Sequence, residues 1–210
     1  MWKIQEQAAQ YDVLLEKRLQ DLLPRLLRDC DVEMWLVLCG EYNEDPVFRT
    51  LVPYRVKNAS RSVGLAFTLD QTGACRAWYL GRPDGRFPGV YQEGMRPGED
   101  VFAAAARLIQ SIGVKEIAVD IAAGCHLSDG LSHSCYIKLR QAVPETVSLV
   151  SAEPLVSRWL ETRIDAELEL YPKLYRQAMA VIEQVYSPQV IVPGKTTTTE
   201  VEWAVAQCIS

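Results

Sequence analysis

The strongest constraint on the fold is a run of six apolar residues, Met34-Trp35-Leu36-Val37-Leu38-Cys39. A run this short suits a strand. With no polar alternation, the strand suits burial on both faces, as in the interior of an α/β sheet. Layers must then cover both faces, and the flanking sequence supplies helices. Ile4, Ala8, Tyr11, Leu15, Leu19, Leu22 and Leu26 recur every three or four residues and so share one helical face. Pro24 falls within that stripe, so either the helix kinks there or a second helix begins near Asp21.

Further along, SVGLAFTLD and ACRAWYLG flank Gln71-Thr72-Gly73, the signature of a β-hairpin. RPDGRFPG is a turn cluster. RPGEDVFAAAARLIQSIG reads as a helix, with acids in its first turn and Gly113 at its end. EIAVD reads as a strand, HSCYIKLRQAVP as a helix begun by Ser132 or His133, and TVSLVSAEP as a strand leading into another helix. Residues 1–157 are therefore expected to form an α/β domain, a mixed sheet covered by helices.

After Arg163 the texture changes. IDAELELYPKLYRQAMAVIEQVYS is a long helical run with alternating charge, in which Pro172 marks a kink or a late start. A Val-Pro-Gly turn follows, with a capping box expected at Thr199-x-x-Glu202. Val201, Ala204, Val205 and Cys208 make the apolar face of the last helix. A helix, a turn and a helix start do not complete a fold.

Net charge is −5 and the basic residues are scattered, which argues against nucleic acid as a partner. No stretch reaches the roughly 18 apolar residues of a membrane span. The N-terminus is too charged for a secretory signal, so a cytoplasmic protein is expected. The six cysteines form no CxxC pair and read as reduced, mostly buried small hydrophobes.

Chemistry is sparse. Both histidines, His126 and His133, lie in GCHLSDGLSHSCYIK beside Cys125, Asp129 and Cys135. Adjacent Cys125 and His126 cannot easily point at one ion, and the spacing is not that of a zinc site. A polar loop capping a helix is the better reading. There is no nucleophile elbow, Walker loop or dinucleotide fingerprint. Glu161, Asp165, Glu167 and Glu169 read as a solvated helix face. Glu41, Tyr42, Asp45 and Arg49 lie on the longest loop and could line a pocket. No recognisable active site emerges from the residues alone.

Four stretches carry a resemblance: EKRLQDLLPRLLRDCDVEMWLVL, IAVDIAAGCHLSDGLSHSCYIKL, VSAEPLVSRWLETRIDAELELYPKLYRQA and VIVPGKTTTTEVEWAV. In this order they resemble the N-terminal half of the creatinase, aminopeptidase P and prolidase family. The resemblance implies a creatinase/prolidase-like N-terminal domain over 1–157. Residues 158–210 would be the linker and first helices of a truncated pita-bread α+β catalytic domain. It implies a dinuclear metallohydrolase in which two Asp, one His and two Glu hold two manganese, cobalt or zinc ions. None of these five ligands maps onto a residue here, so no catalytic residue, metal ligand or bound cofactor is assigned to this chain. The implied role is non-catalytic, in homodimerisation and as one wall of a peptide-substrate cleft. Tyr42, Phe48, Arg49 and Tyr54, on the Gly40–Asn58 loop, are the candidate contacts. The alternatives are a catalytically inactive relative that binds a protein partner, and a creatinase-like amidine hydrolase.

Overall fold

The computed structural model describes residues 3–87 and 89–209. Pro88, in the Arg82–Gly89 turn cluster, lies outside the described residues. The chain divides into two compact units, Trp2–Thr162 and Arg163–Ser210.

Among the described residues of the first unit, six strands form one mixed sheet in the order β4-β3-β2-β1-β5-β6. The strands are β1 (Met34–Gly40), β2 (Ser62–Leu69), β3 (Cys75–Leu80), β4 (Tyr91–Glu93), β5 (Glu116–Val119) and β6 (Ser148–Ser151). β1 pairs antiparallel with β2 and parallel with β5, while β2 and β3 form the expected hairpin. The Asp70 carboxylate closes that hairpin by accepting from the Thr72 and Ala74 amides, and Gly73 adopts φ 82. Glu33 ties the entry of β1 to that of β5, its Oε2 accepting from the Lys115 amide at 2.7 Å.

β1 is buried along both faces, as its composition requires. Met34, Leu36 and Leu38 join Trp78, Leu80, Ile117 and Val119 in a core beneath α4 (Val101–Ile112) and α5 (His133–Ala142). Asp100 caps α4, accepting from the Phe102 and Ala103 amides, and Gly113 ends it at φ 84. Ser132 caps α5. On the opposite face Trp35 packs against Phe67, with ring centroids 5.4 Å apart. Contacts from α2 (Leu23–Asp29) reach β2 and α6 (Glu153–Glu161). The boundary expected after residue 157 falls inside α6, and the first unit runs on to Thr162.

Pro24 does not interrupt the helical run. α1 (Ile4–Lys17) passes through a π-turn at Arg18–Leu22 directly into α2. The Leu23 amide reaches back to the Arg18 carbonyl, one residue further than in an α-helix. That wider turn relieves the clash a proline ring makes with the carbonyl four residues earlier.

In the second unit, Pro172 lies in the first turn of α8 (Tyr171–Val185), just after the short α7 (Asp165–Leu168), so it marks a late start. The capping box of α9 (Thr198–Ile209) is Thr197–Glu200 rather than Thr199–Glu202. The Thr197 amide donates to Glu200 Oε2 at 2.7 Å, and Thr197 Oγ1 accepts from the Glu200 amide at 3.3 Å. The preceding turn consumes the Thr196 hydroxyl, which accepts from the Val192 amide, so the helix begins immediately afterwards. Val201, Ala204, Val205 and Cys208 are half-buried, whereas Leu174, Tyr175, Ile182 and Trp203 are exposed. All six cysteines are free. Cys39 is buried and the others are half-buried, less enclosed than expected. No helix among the described residues is long and apolar enough to cross a membrane.

Asp100→Ala leaves two amides of α4 without their acceptor. It is expected to cost about 1 kcal/mol in urea unfolding.

Candidate functional site

Ligands of open α/β sheets collect outside the carboxyl ends of the parallel strands. Here that edge holds the segment after β1, residues 40–58, and the segment after β5, residues 120–132. The former is not the polar, irregular loop its sequence suggests. It contains a short helix, α3 (Phe48–Leu51), and buries Val47, Phe48, Leu51, Val52 and Val56. Neither α3 nor the three-residue β4 shows a readable period, because each is shorter than two repeats of its pattern.

Three elements pin this segment. From α1, the Tyr11 hydroxyl donates to the Arg49 carbonyl at 2.6 Å, and Asp12 Oδ1 accepts from the Tyr54 amide at 2.7 Å. From β4, the Tyr91 hydroxyl donates to the Leu51 carbonyl. From α6, Trp159 Nε1 donates to Thr50 Oγ1 at 2.9 Å. Arg18 in turn lies 4.2 Å over the Trp159 ring.

The four aromatic and basic candidates separate accordingly. Phe48, named above as a candidate cleft contact, is 1% exposed and part of the core. An apolar ring opening a helix turn packs inward once that turn has a core to face. Arg49 donates its guanidinium to the Val56 carbonyl, bracing the loop from within. Tyr54 is half-buried between Tyr11, with ring centroids 5.9 Å apart, and the Lys57 ammonium, 3.6 Å over its ring. Tyr42 is 89% exposed and stands at φ 63, held by paired backbone bonds between Gly40 and Asn43. A non-glycine residue in this left-handed region costs on the order of 1–3 kcal/mol. The ring is thus displayed on a turn whose geometry is fixed at both ends.

Beneath the loop two acids meet that no local pattern pairs. Asp45 and Asp120 are each 1% exposed. Trp35 Nε1 donates to Asp120 Oδ1 at 2.8 Å, and the Val47 amide donates to Asp45 Oδ1 at 2.9 Å. Burial pushes the Asp45 carboxyl up to about 6, and pushes Asp120 well above the usual carboxylate range, with the Asp45 charge adding to it. Gly130 closes this pocket. A Cβ there would overlap Asp45 Oδ2 and stand 2.6 Å from Pro46 Cδ. The Leu131 amide meanwhile donates to the Asp120 carbonyl. The sequence signals were an acid ending an apolar strand in EIAVD and the Asp-Gly-Leu of the following loop.

A groove of about 780 Å³ lies by the start of β2, the first turn of α4 and the end of α5, lined by Arg61, Arg82 and Lys138 and also by the acids Glu99 and Asp100. His126 and His133 are exposed on the segment after β5 and at the start of α5. Among the described residues, no group of three or more His, Cys, Asp or Glu side chains could hold a metal ion. The loop provides a displayed aromatic on a braced segment, and the groove a lining of mixed charge; together these can position a ligand.

No protein-family model matches this chain, and no curated protein does. Solved structures do match. X-Pro aminopeptidase from Thermotoga maritima MSB8 is similar with a TM-score of 0.57 at 12% identity, over 88% of this chain and 49% of that one. Xaa-Pro dipeptidase from Bacillus anthracis is similar with a TM-score of 0.52 at 14% identity, over 95% of this chain and 49% of that one. This chain spans about half the length of each. At such identities the likeness is one of fold. The α/β architecture, with its six-stranded mixed sheet, matches that of Xaa-Pro peptidases and is consistent with the creatinase/prolidase fold.

Gly130→Ala is expected to destabilise the chain by about 1–3 kcal/mol, through overpacking against Asp45 and Pro46. Gly85→Ala, where a Cβ meets nothing within 4 Å, is expected to change stability by no more than about 0.5 kcal/mol. Paired urea titrations check both.

Proposed function

We propose that this chain is the non-catalytic N-terminal region of a cytoplasmic Xaa-Pro aminopeptidase- or prolidase-like dinuclear metallohydrolase. In this reading it contributes to dimerisation and to one wall of the substrate cleft. The observation carrying the proposal is the fold match, which covers most of this chain but only about half of each matched peptidase. The metal ligands would then belong to the remainder of a longer protein, together with the two divalent ions and the water they activate. This region would hold the peptide in place, and positioning alone lowers a barrier by restricting the substrate's freedom. Within it the Gly40–Asn58 segment would face the cleft. Tyr42 is the contact best supported, since its ring is exposed and its backbone fixed. Tyr54 and Arg49 would support the loop's shape.

The test is kinetic, on the longer protein loaded with manganese and assayed against Xaa-Pro dipeptides and tripeptides. Hydrolysis is expected, and Tyr42→Ala is expected to raise KM several-fold without loss of stability. Unchanged kinetics would remove Tyr42 from the cleft wall. Absence of both metal binding and hydrolysis would favour an inactive, partner-binding relative, while turnover of a small amidine would favour a creatinase-like hydrolase. For the 210-residue chain, exposed Leu174, Tyr175, Ile182 and Trp203 lead us to expect concentration-dependent association in sedimentation velocity. A sedimentation coefficient independent of concentration would count against self-association.

A further inference from the structure

Asp45 and Asp120 present a problem of hydrogen-bond bookkeeping that the proposed function does not address. Each is buried, and each has one oxygen supplied with a donor: Trp35 Nε1 for Asp120, the Val47 amide for Asp45. The other oxygen of each, Oδ2, meets no donor among the described residues. The two carboxyls nevertheless lie within hydrogen-bonding reach of one another. Ionised carboxylates only accept, so a bond between them requires a proton.

The surroundings supply no substitute for that proton. Cys39 Sγ accepts from the Asp45 amide at 3.3 Å, and burial pushes its thiol above its ordinary range, so it stays neutral. Glu44 uses Oε1 to accept from the Ala59 amide. Asp129, from the segment after β5, directs Oδ1 to the Ala122 amide, and its charge opposes ionisation of Asp45. Every titratable group facing the pair is therefore an acid or a neutral thiol. Among the described residues neither aspartate forms an ion pair. Two like charges confined in one buried site cannot both ionise cheaply, so one keeps its proton.

We propose that at neutral pH Asp45 and Asp120 share a single proton between their Oδ2 atoms, and that this proton latches the Gly40–Asn58 segment to the carboxyl end of β5. Asp45 belongs to that segment, and Asp120 directly follows β5. Gly130 leaves just enough room for the two to meet, so the latch joins three separate stretches of chain.

The sign of the pH dependence follows from which state holds the protons. Both carboxyls are raised in the folded chain, whereas in the unfolded chain they titrate near about 3.9. From about pH 4 upwards the folded state retains protons that the unfolded state has released. The pair's contribution is therefore fully present below about pH 4 and is lost as pH rises through the folded-state titrations. Between the Asp45 titration, about 6, and the higher one of Asp120, one proton separates the two states. The folding constant then falls about tenfold per pH unit from this source.

Two measurements on the 210-residue chain test the latch. Carboxyl ¹³C NMR of aspartate-labelled protein is expected to show one carboxyl of the pair still protonated at pH 7. Urea titrations at pH 5.5 and 8.5 are expected to give a lower midpoint at the higher pH. In Asp120→Asn the amide oxygen still accepts from Trp35 while the amide N–H donates to Asp45 Oδ2, so the Asp120 share of the pH difference should disappear, leaving only the smaller share from burial of Asp45. Both carboxyls titrating near 4 would overturn the latch, and so would an undiminished pH difference in Asp120→Asn. Displacement of the pair's resonances by added sodium or calcium would also overturn it, placing a cation where we place a proton. The NMR titration of the unmutated chain decides the matter even if the variant fails to fold. All these outcomes are independent of peptidase activity.

Discussion

Everything in the first unit is organised around β1, a strand hydrogen-bonded antiparallel on one side and parallel on the other while buried on both faces. Such a strand has no solvent-facing side, so each of its residues must fit a layer. Met34, Leu36 and Leu38 are committed to the α4/α5 layer, and Trp35 and Val37 to the opposite one. The change from antiparallel to parallel pairing also decides where loops can go. A hairpin partner such as β2 returns beside its neighbour, whereas β5 must arrive by a crossover that leaves its own carboxyl end beside that of β1. The meeting of residues 40–58 with residues 120–132 is a product of that geometry.

Much of this was legible in the sequence because the signals are local. The unbroken apolar run gave β1, the hairpin announced itself at Gln71-Thr72-Gly73, and Asp100 and Gly113 bracket α4 with residues suited to those ends. Pro24 illustrates the limit. A proline in a helical stripe signals disturbance, but the choice between a kink, a break and a π-turn depends on whether Leu19, Leu22, Leu23 and Leu26 can all stay buried. All four are buried, and that tertiary demand keeps the helix continuous. The displaced capping box at α9 is a smaller case: two Thr-x-x-Glu frames overlap, and the turn before the helix selects between them.

The candidate site was less legible, for a physical reason. The loop was picked out by its polarity and aromatics, yet its burial depends on partners far away in sequence: Tyr11 and Asp12 in α1, Tyr91 in β4 and Trp159 in α6. Without those partners Phe48 and Tyr42 look alike. With them, one is core and the other is displayed. Asp45 could be noticed as a loop acid and Asp120 as an acid ending a strand, but nothing within either stretch indicates that they touch. Pairing of that kind is a property of strand order, which sequence periodicity does not encode.

The π-turn at Arg18–Leu22 has a consequence for how the loop is held. An α-helix advances about 100° per residue, so accommodating one extra residue in a single turn gives α1 and α2 different rotational phases. α2 keeps its apolar face on the sheet, while α1 is free to present Tyr11 and Asp12 to residues 49–54. The helix works as a mechanical coupling with a built-in angular offset, a shaft whose two ends address different surfaces. Removing one residue from the turn would leave the side chains of α1 and α2 in place and aim one set of them in the wrong direction.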